Sequence, residues 1–182
     1  MDKHGAALAP NVFLIGLMGA GKTTIGRALA RKLEWSFVDS DHEIQQRTGV
    51  SIPTIFEIEG EAGFRRREVA VIEEICQRRA AVVATGGGVV LAADNRRRLR
   101  QSGLVAYLDA PPALLFERTR HDRNRPLLQV PNPLGRLEEL RAERDPLYRE
   151  TAHLVIDAQR LSQHQIVSLL ENEVSSRCAP LL

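Results

Sequence analysis

Short apolar runs alternate along the chain with longer segments in which apolar residues recur at helical spacing. Most of the runs are continuously apolar, as is typical of strands buried on both faces of a parallel sheet. The five predicted strands are 11–16, 36–39, 80–85, 104–109 and 153–157. The seven predicted helices lie near 22–33, 41–47, 61–78, 93–101, 111–120, 134–149 and 162–174. The alternation predicts a three-layer α/β fold, in which helices cover both faces of an open, parallel, five-stranded sheet.

Two segments interrupt this alternation. Residues 121–133 contain three prolines, two asparagines and two arginines, so a long helix or strand is excluded and a mobile loop is expected. Residues 48–64 form a broken helical stretch between the second strand and the long third helix. In an open α/β sheet both segments would lie near the carboxyl ends of the strands, where ligands bind.

Size and charge favour one domain without a polyanionic partner. A chain of 182 residues, 43% of them hydrophobic, can bury the core of a single domain over 1–182, with a core at about 11–174 and flexible termini. The 25 Lys and Arg nearly balance the 23 Asp and Glu, so the net charge is only +2 and no nucleic-acid partner is predicted. Some arginines lie in charge runs without interleaved aromatic residues and are interpreted as solvated helix faces: Arg66, Arg67, Arg96, Arg97 and Arg98.

Cysteine usage and the N-terminal segment both favour a cytoplasmic protein. Cys76 and Cys178 lie far apart and outside any C-x-x-C motif, which disfavours a zinc site or a disulfide framework and fits a reducing compartment. The apolar run at 12–16 is too short for a signal-peptide core or a membrane span. We therefore expect no membrane partner.

The first strand is followed by GLMGAGKT, Gly16 to Thr23, which matches the phosphate-loop pattern G-x-x-x-x-G-K-[ST]. A strand before the motif and a helix after it are the context in which this loop binds nucleotide phosphates. Lys22 would carry charge to the β- and γ-phosphates, and the Thr23 hydroxyl would coordinate Mg²⁺. The predicted ATP-binding residues in this segment are Gly19, Ala20, Gly21, Lys22, Thr23 and Thr24.

A phosphate loop indicates a nucleotide but not a reaction, and three classes have to be considered: a GTPase switch, a mechanical or transport ATPase, and a small-molecule kinase. GTPase switches read guanine through an N-K-x-D tetrapeptide, which does not occur in this sequence. The third strand is followed by TGGG, 85–88, where larger ATPases carry acidic residues. Both observations argue against the first two classes.

Two aspartates, Asp39 and Asp41, lie one residue apart at the end of the second predicted strand. If the extended geometry persists that far, both side chains leave the same face of the strand. A helix N-cap is the structural alternative for Ser40 or Asp41, because a polar residue at this point can cap the helix that follows.

Six segments match, in order and spacing, the motifs of shikimate kinases, which are small monomeric relatives of the nucleoside monophosphate kinases: LIGLMGAGKTTIGRALA, FVDSDHEI, GVSIPTIFEIEGEAGFRRRE, VVATGGGVV, RPLL and RDPLYRE. The chain resembles this family from about Asn11 to Glu173. The resemblance implies a P-loop fold like that of the nucleoside monophosphate kinases. It also implies a monomer that uses ATP to phosphorylate the 3-hydroxyl of shikimate, a step towards chorismate and the aromatic amino acids.

The resemblance implies an acceptor site as well. Arg65 and Arg144 stand where the family binds the carboxylate of shikimate, which suits the planar guanidinium fork. Glu68, one turn after Arg65, is placed to orient it. Asp41 would grip the acceptor hydroxyls, orient the 3-hydroxyl and take its proton. The segment expected to lie against the acceptor, with the Gly87 amide donating to it, is Gly86, Gly87 and Gly88, where the backbone either approaches a neighbour closely or adopts positive φ.

On the nucleotide side, the resemblance places Mg²⁺ between Thr23 and Asp39. Arg125, in RPLL, belongs to the family's lid, residues 121–133, and would complete a catalytic set with Lys22 and Asp41. Closure of the lid would exclude water from the γ-phosphate. Arg118 is expected beside the adenine, and Arg160 on its other side.

Two other functions stay open from the residues alone. Recognition of a carboxylate and hydroxyls also suits a related kinase for another hydroxylated acid, such as gluconate. A nucleotide-sensing module that kept the fold without catalysis is a third possibility. The presence of all the expected catalytic and binding side chains argues against this module.

Overall fold

The computed structural model describes residues 10–178 and contains one sheet. Its strands are β1 (Asn11–Ile15), β2 (Ser36–Asp39), β3 (Ala81–Ala84), β4 (Gly103–Asp109) and β5 (Leu154–Asp157). They lie in the order β2-β3-β1-β4-β5, and every neighbouring pair is parallel. The parallel five-stranded sheet expected from the apolar runs is confirmed.

Seven α-helices surround the sheet in the described part of the chain. They are α1 (Lys22–Leu33), α2 (Ser40–Thr48), α3 (Ile52–Ile75), α4 (Ala93–Ser102), α5 (Pro112–Thr119), α6 (Pro133–Thr151) and α7 (Gln163–Cys178). Because every residue of β1 and β3 is buried, helices must cover both faces of the sheet. A single cluster of buried apolar side chains reaches all five strands.

The strand register brings three carboxyl ends together. Leu14 of β1 pairs with Ala84 of β3, and Ala84 pairs with Asp39 of β2. The residues that follow these strands are the phosphate loop, the glycine run and the start of α2. Parallel pairing therefore places the three motifs at one edge of the sheet, where open α/β folds bind ligands.

The turn from β2 into α2 differs from the expected extended geometry. The helix begins at Ser40, and Asp39 is its N-cap, accepting hydrogen bonds from the backbone N–H groups of Asp41 (3.1 Å) and His42 (3.2 Å). The expectation that both aspartates leave one face of a strand is wrong, because only Asp39 belongs to the strand. The cap is also not Ser40 or Asp41, so the Asp41 carboxylate is free of that role.

Helix α3 begins well before the predicted position at 61. Ser51 caps it by accepting from the Thr54 N–H (3.3 Å), and Pro53 stabilises its first turn. The expected break in 48–64 is present as one residue, Gly60, whose φ of 69° interrupts the helical backbone. The broken helical stretch expected from the sequence is therefore present, and it is continuous with the long helix that was predicted from 61.

Residues 121–133 contain one 3₁₀ turn, Pro126–Leu128, before α6 begins at Pro133. The prediction that no long helix or strand crosses this segment is confirmed, while its mobility stays a prediction. Within residues 10–178, no helix is both long enough and apolar enough to cross a bilayer. The flexibility expected for the termini concerns residues 1–9 and 179–182, which lie outside the described residues.

Just before β5, His153 is paired with β4 through its backbone and its ring. Its backbone N–H donates to the Val105 carbonyl (2.8 Å), and its Nδ1 accepts from the Val105 N–H (3.1 Å). Burial lowers the pKa of His153 below its ordinary value, and the charges of Arg100 and Arg177 act in the same direction. Only the neutral ring can accept the Val105 hydrogen bond.

We therefore expect acid to destabilise the fold through His153. Because the folded pKa lies below the unfolded one, the stabilisation is present above the unfolded pKa and is lost as the pH falls through the folded pKa. In His153→Asn, Oδ1 can accept the same bond without titrating. When the pH falls from about 7.5 to about 5.5, the Tm of the unaltered chain should drop by about 1–2 °C more than that of the variant. Thermal denaturation at the two pH values measures the difference. Equal losses would contradict this role.

Candidate active site

A cleft of about 1080 Å³ opens at the carboxyl ends of β1, β2 and β3. The phosphate loop, the start of α2, the glycine run, the 121–133 segment and α6 all contribute to its walls. Its volume exceeds that of a site for one small molecule, so a nucleotide and a second small ligand can lie in it side by side.

The phosphate loop has the backbone that its glycines predicted. Gly19 and Gly21 have φ angles of 82° and 95°, in the left-handed region that favours glycine. Within the described chain, no side chain caps the N-terminus of α1, so its first N–H groups point into the cleft without a protein acceptor. Such a helix end binds anions, which fits a polyphosphate.

Lys22 is buried at the floor of the cleft and folded back onto the phosphate loop. Its Nζ donates to the carbonyls of Gly16 (2.7 Å) and Leu17 (2.9 Å). Burial, assisted by the charge of Arg125, lowers the pKa of Lys22 to about 8, although Asp41 and Asp39 oppose the shift. Lys22 therefore loses its charge at a lower pH than an exposed lysine and is about half charged near pH 8.

Thr23 and Asp39 form an all-oxygen pair beside the loop. The Thr23 hydroxyl donates to Asp39 Oδ2 (2.9 Å), while Oδ1 is occupied by the α2 cap. One carboxylate and one hydroxyl fit Mg²⁺, which prefers oxygen ligands and keeps several waters or phosphate oxygens. Across residues 10–178 there is no cluster of three or more His, Cys, Asp or Glu that would hold a metal by protein ligands alone.

Asp41 and Glu68 converge on the glycine run. A Cβ on Gly86 would lie 2.7 Å from Asp41 Oδ1 and 2.8 Å from Glu68 Oε1. Neither of these buried oxygens has a hydrogen-bond partner in the described structure. Burial raises the pKa of Asp41, with the neighbouring Asp39 adding to the effect, and burial raises the pKa of Glu68 to about 7. The two carboxyl groups therefore hold protons more tightly than exposed ones.

The two arginines expected at the acceptor site differ in how they are held. Arg65 pairs with Glu68 through Nη1 (2.9 Å) and with Glu61 through Nη2 (2.8 Å), so Glu68 does orient it. Arg144 is only 2% exposed, and its Nε and Nη1 have no acceptor among the residues described. Unpaired donors on a buried cation carry a large desolvation cost. An anionic ligand would remove it.

Two of the three glycines after β3, Gly86 and Gly88, are required for space and not for backbone conformation. Residues with positive φ do not include Gly86, Gly87 or Gly88. A Cβ on Gly88 would overlap the Arg65 guanidinium, and one on Gly86 would meet two carboxylates. Of the two explanations drawn from the sequence, close approach applies to Gly86 and Gly88, and neither applies to Gly87, whose Cβ would have no contact under 3.6 Å.

Three further arginines were expected at the nucleotide. Arg125 lines the cleft, with its Nε paired to Asp122 (2.9 Å), and Arg118 donates from Nη1 to the Gly19 carbonyl (3.1 Å). Arg160 is 85% exposed, pairs with Asp157 and does not line the cleft. The geometry thus brings Arg118 and Arg125 to the site but leaves Arg160 outside it.

Several cleft residues were not predicted from the sequence. Phe56 and Phe64 pack with ring centroids 5.0 Å apart and give the wall beside Arg65 an apolar surface. Asp122, which holds Arg125, and Tyr148, which donates to the Gly87 carbonyl, were also missed. Both Phe residues lie in the segment matched to the family, but spacing alone does not separate a cleft wall from ordinary core.

Together, the parallel sheet, the phosphate loop and the facing group of buried arginines and carboxylates define a P-loop kinase of the nucleoside monophosphate kinase type, with room for a small acidic acceptor. The comparisons with known proteins are more specific. The family model described as shikimate kinase matches residues 18–175.

Individual relatives agree with this match. A shikimate kinase of Dechloromonas aromatica (strain RCB) is 61% identical over 163 residues, which are 90% of this chain and 89% of that protein. One from Ralstonia nicotianae (strain ATCC BAA-1114 / GMI1000) is 58% identical over 93% of this chain and 90% of its own. The solved structure of shikimate kinase from Acinetobacter baumannii in complex with shikimate superposes with a TM-score of 0.90 at 49% identity, covering 94% of this chain and 96% of that one.

The chain belongs to the shikimate kinase family. The resemblance seen in the sequence is confirmed, and so is the class of enzyme, a kinase that phosphorylates shikimate at the expense of ATP. The kinase for another acid and the module without catalysis are no longer needed to explain the sequence.

The pKa of Lys22 predicts proton uptake when ATP binds. A lysine with a pKa of about 8 is half protonated at that pH, and nearby phosphates favour the charged form. At about pH 8, ATP binding should take up about half a proton, less at pH 7. Isothermal titration calorimetry in two buffers of different ionisation enthalpy measures this number.

Lys22→Arg is the matched control, because arginine stays protonated throughout this range. Its proton uptake should be smaller than that of the unaltered chain by the share due to Lys22. Equal uptake in the two proteins would show that Lys22 is already fully charged before ATP binds.

Proposed function

We propose that this protein transfers the γ-phosphoryl group of ATP to the 3-hydroxyl of shikimate, in the route to chorismate, through the residues assembled in the cleft. The observation that carries the proposal is the buried guanidinium of Arg144 with its unpaired Nε and Nη1 among the described residues, in the same cleft as the phosphate loop. A cationic cup of this kind selects an acid, and the loop beside it selects a polyphosphate.

On the nucleotide side, the N–H groups at the start of α1 and the ammonium of Lys22 bind the phosphates. The loop residues Gly19, Ala20, Gly21, Thr23 and Thr24 all line the cleft. Arg118 lies beside the loop and flanks the adenine. Thr23 and Asp39 would hold Mg²⁺, which would offset the charge of the phosphates.

On the acceptor side, Arg144 and Arg65 bind the carboxylate of shikimate, and Glu68 keeps Arg65 in place. Asp41 accepts a hydrogen bond from the 3-hydroxyl and takes its proton as the phosphoryl group arrives. Its raised pKa makes it a stronger base than an exposed aspartate, which suits this role. The amides of Gly87 and Gly88 donate to the other hydroxyls.

Arg125 completes the catalytic set from the lid, residues 121–133. Asp122 engages only its Nε, so both terminal nitrogens remain available to the γ-phosphate in the described structure. We infer that this segment moves over the bound substrates. Its closure excludes water, which competes with the acceptor hydroxyl for the phosphoryl group.

We also propose that the protein is a single-domain, cytoplasmic monomer whose partners are ATP and shikimate. The arginine runs that suggest a polyanion surface are engaged locally, with Arg67 paired to Glu59 and Arg97 to Asp94. Cys76 is a free thiol buried in the core, which suits a reducing compartment. No partner beyond the two small molecules is needed.

The acceptor is tested by measuring ADP release with shikimate, with gluconate and without an acceptor. We expect turnover that depends on shikimate and a background rate with the other two, because only a ring acid places its carboxylate at Arg144 and its 3-hydroxyl at Asp41 together. Turnover with gluconate equal to that with shikimate would contradict the assignment. Product analysis by ³¹P NMR identifies the hydroxyl that is phosphorylated.

Replacing Asp41 by Asn should remove catalysis while leaving the nucleotide site intact. We expect kcat to fall by about 10²–10³ and the Kd for ATP to change less than about threefold, because an amide cannot take the proton. Steady-state kinetics and calorimetry measure the two quantities. Asp94→Asn, at an exposed position on α4, is the control. Parallel losses of ATP binding and turnover in Asp41→Asn would place Asp41 on the nucleotide side instead.

A further inference from the structure

Tyr148 is a buried polar side chain that the mechanism above does not use. It lies on α6 with its ring stacked on Tyr107 of β4, at a centroid distance of 4.8 Å and an interplanar angle of 27°. Its side chain is inaccessible to solvent, and its hydroxyl donates a hydrogen bond to the Gly87 carbonyl. Burial raises the pKa of Tyr148 well above its ordinary value, so it is a neutral donor at all physiological pH values.

The backbone groups on either side of the Gly87–Gly88 peptide have hydrogen-bond partners of their own. On one side the Gly86 N–H donates to Ser40 Oγ (3.0 Å) and its carbonyl accepts from Val89 N (3.2 Å). On the other side the Gly88 carbonyl accepts from Leu91 N (3.0 Å). Within residues 10–178, Tyr148 is the hydrogen-bond partner of the peptide group between Gly87 and Gly88, whose N–H has none.

Gly87 is less crowded than its two neighbours. A Cβ built on Gly87 would make only ordinary van der Waals contacts with the backbone of residues 16–18, the nearest at 3.6 Å, whereas one on Gly86 or Gly88 would clash. Since a glycine also lacks the side chain that restricts other residues, its backbone has wide conformational freedom. The hydrogen bond from Tyr148 is therefore a directional restraint on the Gly87–Gly88 peptide.

Tyr148 also lies one helical turn after Arg144 on α6. The same helix thus carries the guanidinium that binds the acceptor carboxylate and the hydroxyl that holds the peptide facing the acceptor hydroxyls. Donation to the Gly87 carbonyl polarises its peptide group, which makes the Gly88 N–H of that group a better donor. The position of the Gly87–Gly88 peptide and the donor strength of the Gly88 N–H therefore both depend on α6.

We propose that Tyr148 is a positioning residue for the acceptor, whose hydroxyl orients the Gly87–Gly88 peptide so that the neighbouring amides donate to the acceptor hydroxyls while Arg144 binds the carboxylate. Tyr148 does not touch the reacting atoms. The inference rests on the proposed function for the identity of the acceptor, but the contact between Tyr148 and Gly87 does not depend on it.

Tyr148→Phe removes one oxygen atom and keeps the stacked ring. We expect the KM for shikimate to rise about 5- to 10-fold, with the KM for ATP unchanged and kcat within about twofold, because only acceptor binding uses the oriented peptide. Tyr107→Phe is the matched control: it removes the same atom from the other ring of the stack, where the hydroxyl donates to Asp145 (2.9 Å). Its KM values should equal those of the unaltered chain.

A second measurement separates this inference from the identity of the acceptor. Amide hydrogen exchange, followed by NMR on the chain without ligands, should be faster at Gly87 and Gly88 in Tyr148→Phe than in Tyr107→Phe, with Gly19 unaffected in both. Thermal denaturation checks that both variants are folded. If the unaltered chain fails to phosphorylate shikimate, the proposed function fails, and the exchange result alone decides the role of Tyr148.

Three outcomes would overturn the role of Tyr148. The first is a KM for shikimate that is unchanged in Tyr148→Phe, and the second is equal effects of the two tyrosine variants, which would reduce the stack to a structural feature. The third is equal exchange rates at Gly87 and Gly88 in both variants. A rise in the KM for shikimate in Tyr148→Phe alone, together with faster exchange at the two glycines, supports it.

Discussion

The arrangement of charges in this cleft depends on one buried cation. The guanidinium of Arg144 is buried, and two of its nitrogens find no acceptor in the described chain. Such a group is tolerated in a folded protein only where negative charge lies close by. Glu68 supplies that charge, Asp41 lies beside it, and Arg65 acts on both carboxyl groups in turn. The acceptor site is therefore a network of opposed charges, and the glycines leave it the room that side chains would fill.

The fold and the nucleotide half of the site were predictable because they depend on local patterns. Apolar runs located all five strands, and the runs of β1, β3 and β4 are continuous because these strands are buried on both faces of the sheet. The phosphate loop was recognised because a strand, a glycine-containing turn and a helix follow one another without a gap. The acceptor half was reached only through resemblance to a family, as spacing alone does not show that Arg65 and Arg144 face one ligand.

What the sequence did not indicate depends on three-dimensional contacts or on single backbone angles. Asp39 became the cap of α2 because β2 ends there, which a residue pattern cannot locate to one position. The sequence placed a broken helical stretch before α3 but did not give its start at Ile52 or its kink at Gly60, because both depend on single backbone angles. The hydrogen bond between Tyr148 and Gly87 joins residues 61 positions apart, and no motif near either residue predicts it. Arg160, expected beside the adenine, pairs with Asp157 instead.

Glu68 has a further consequence for any molecule that enters the cleft. A carboxyl group with a pKa of about 7, buried between Arg65 and Asp41, is close to half ionised at neutral pH. Glu68 can therefore gain or release a proton in response to the charge of the ligand that binds, a behaviour called charge regulation. An anionic inhibitor draws a proton in with it, and a neutral one does not. A calculation that holds the ionisation of Glu68 fixed would misjudge the relative affinities of anionic and neutral inhibitors, and its error would change with the pH.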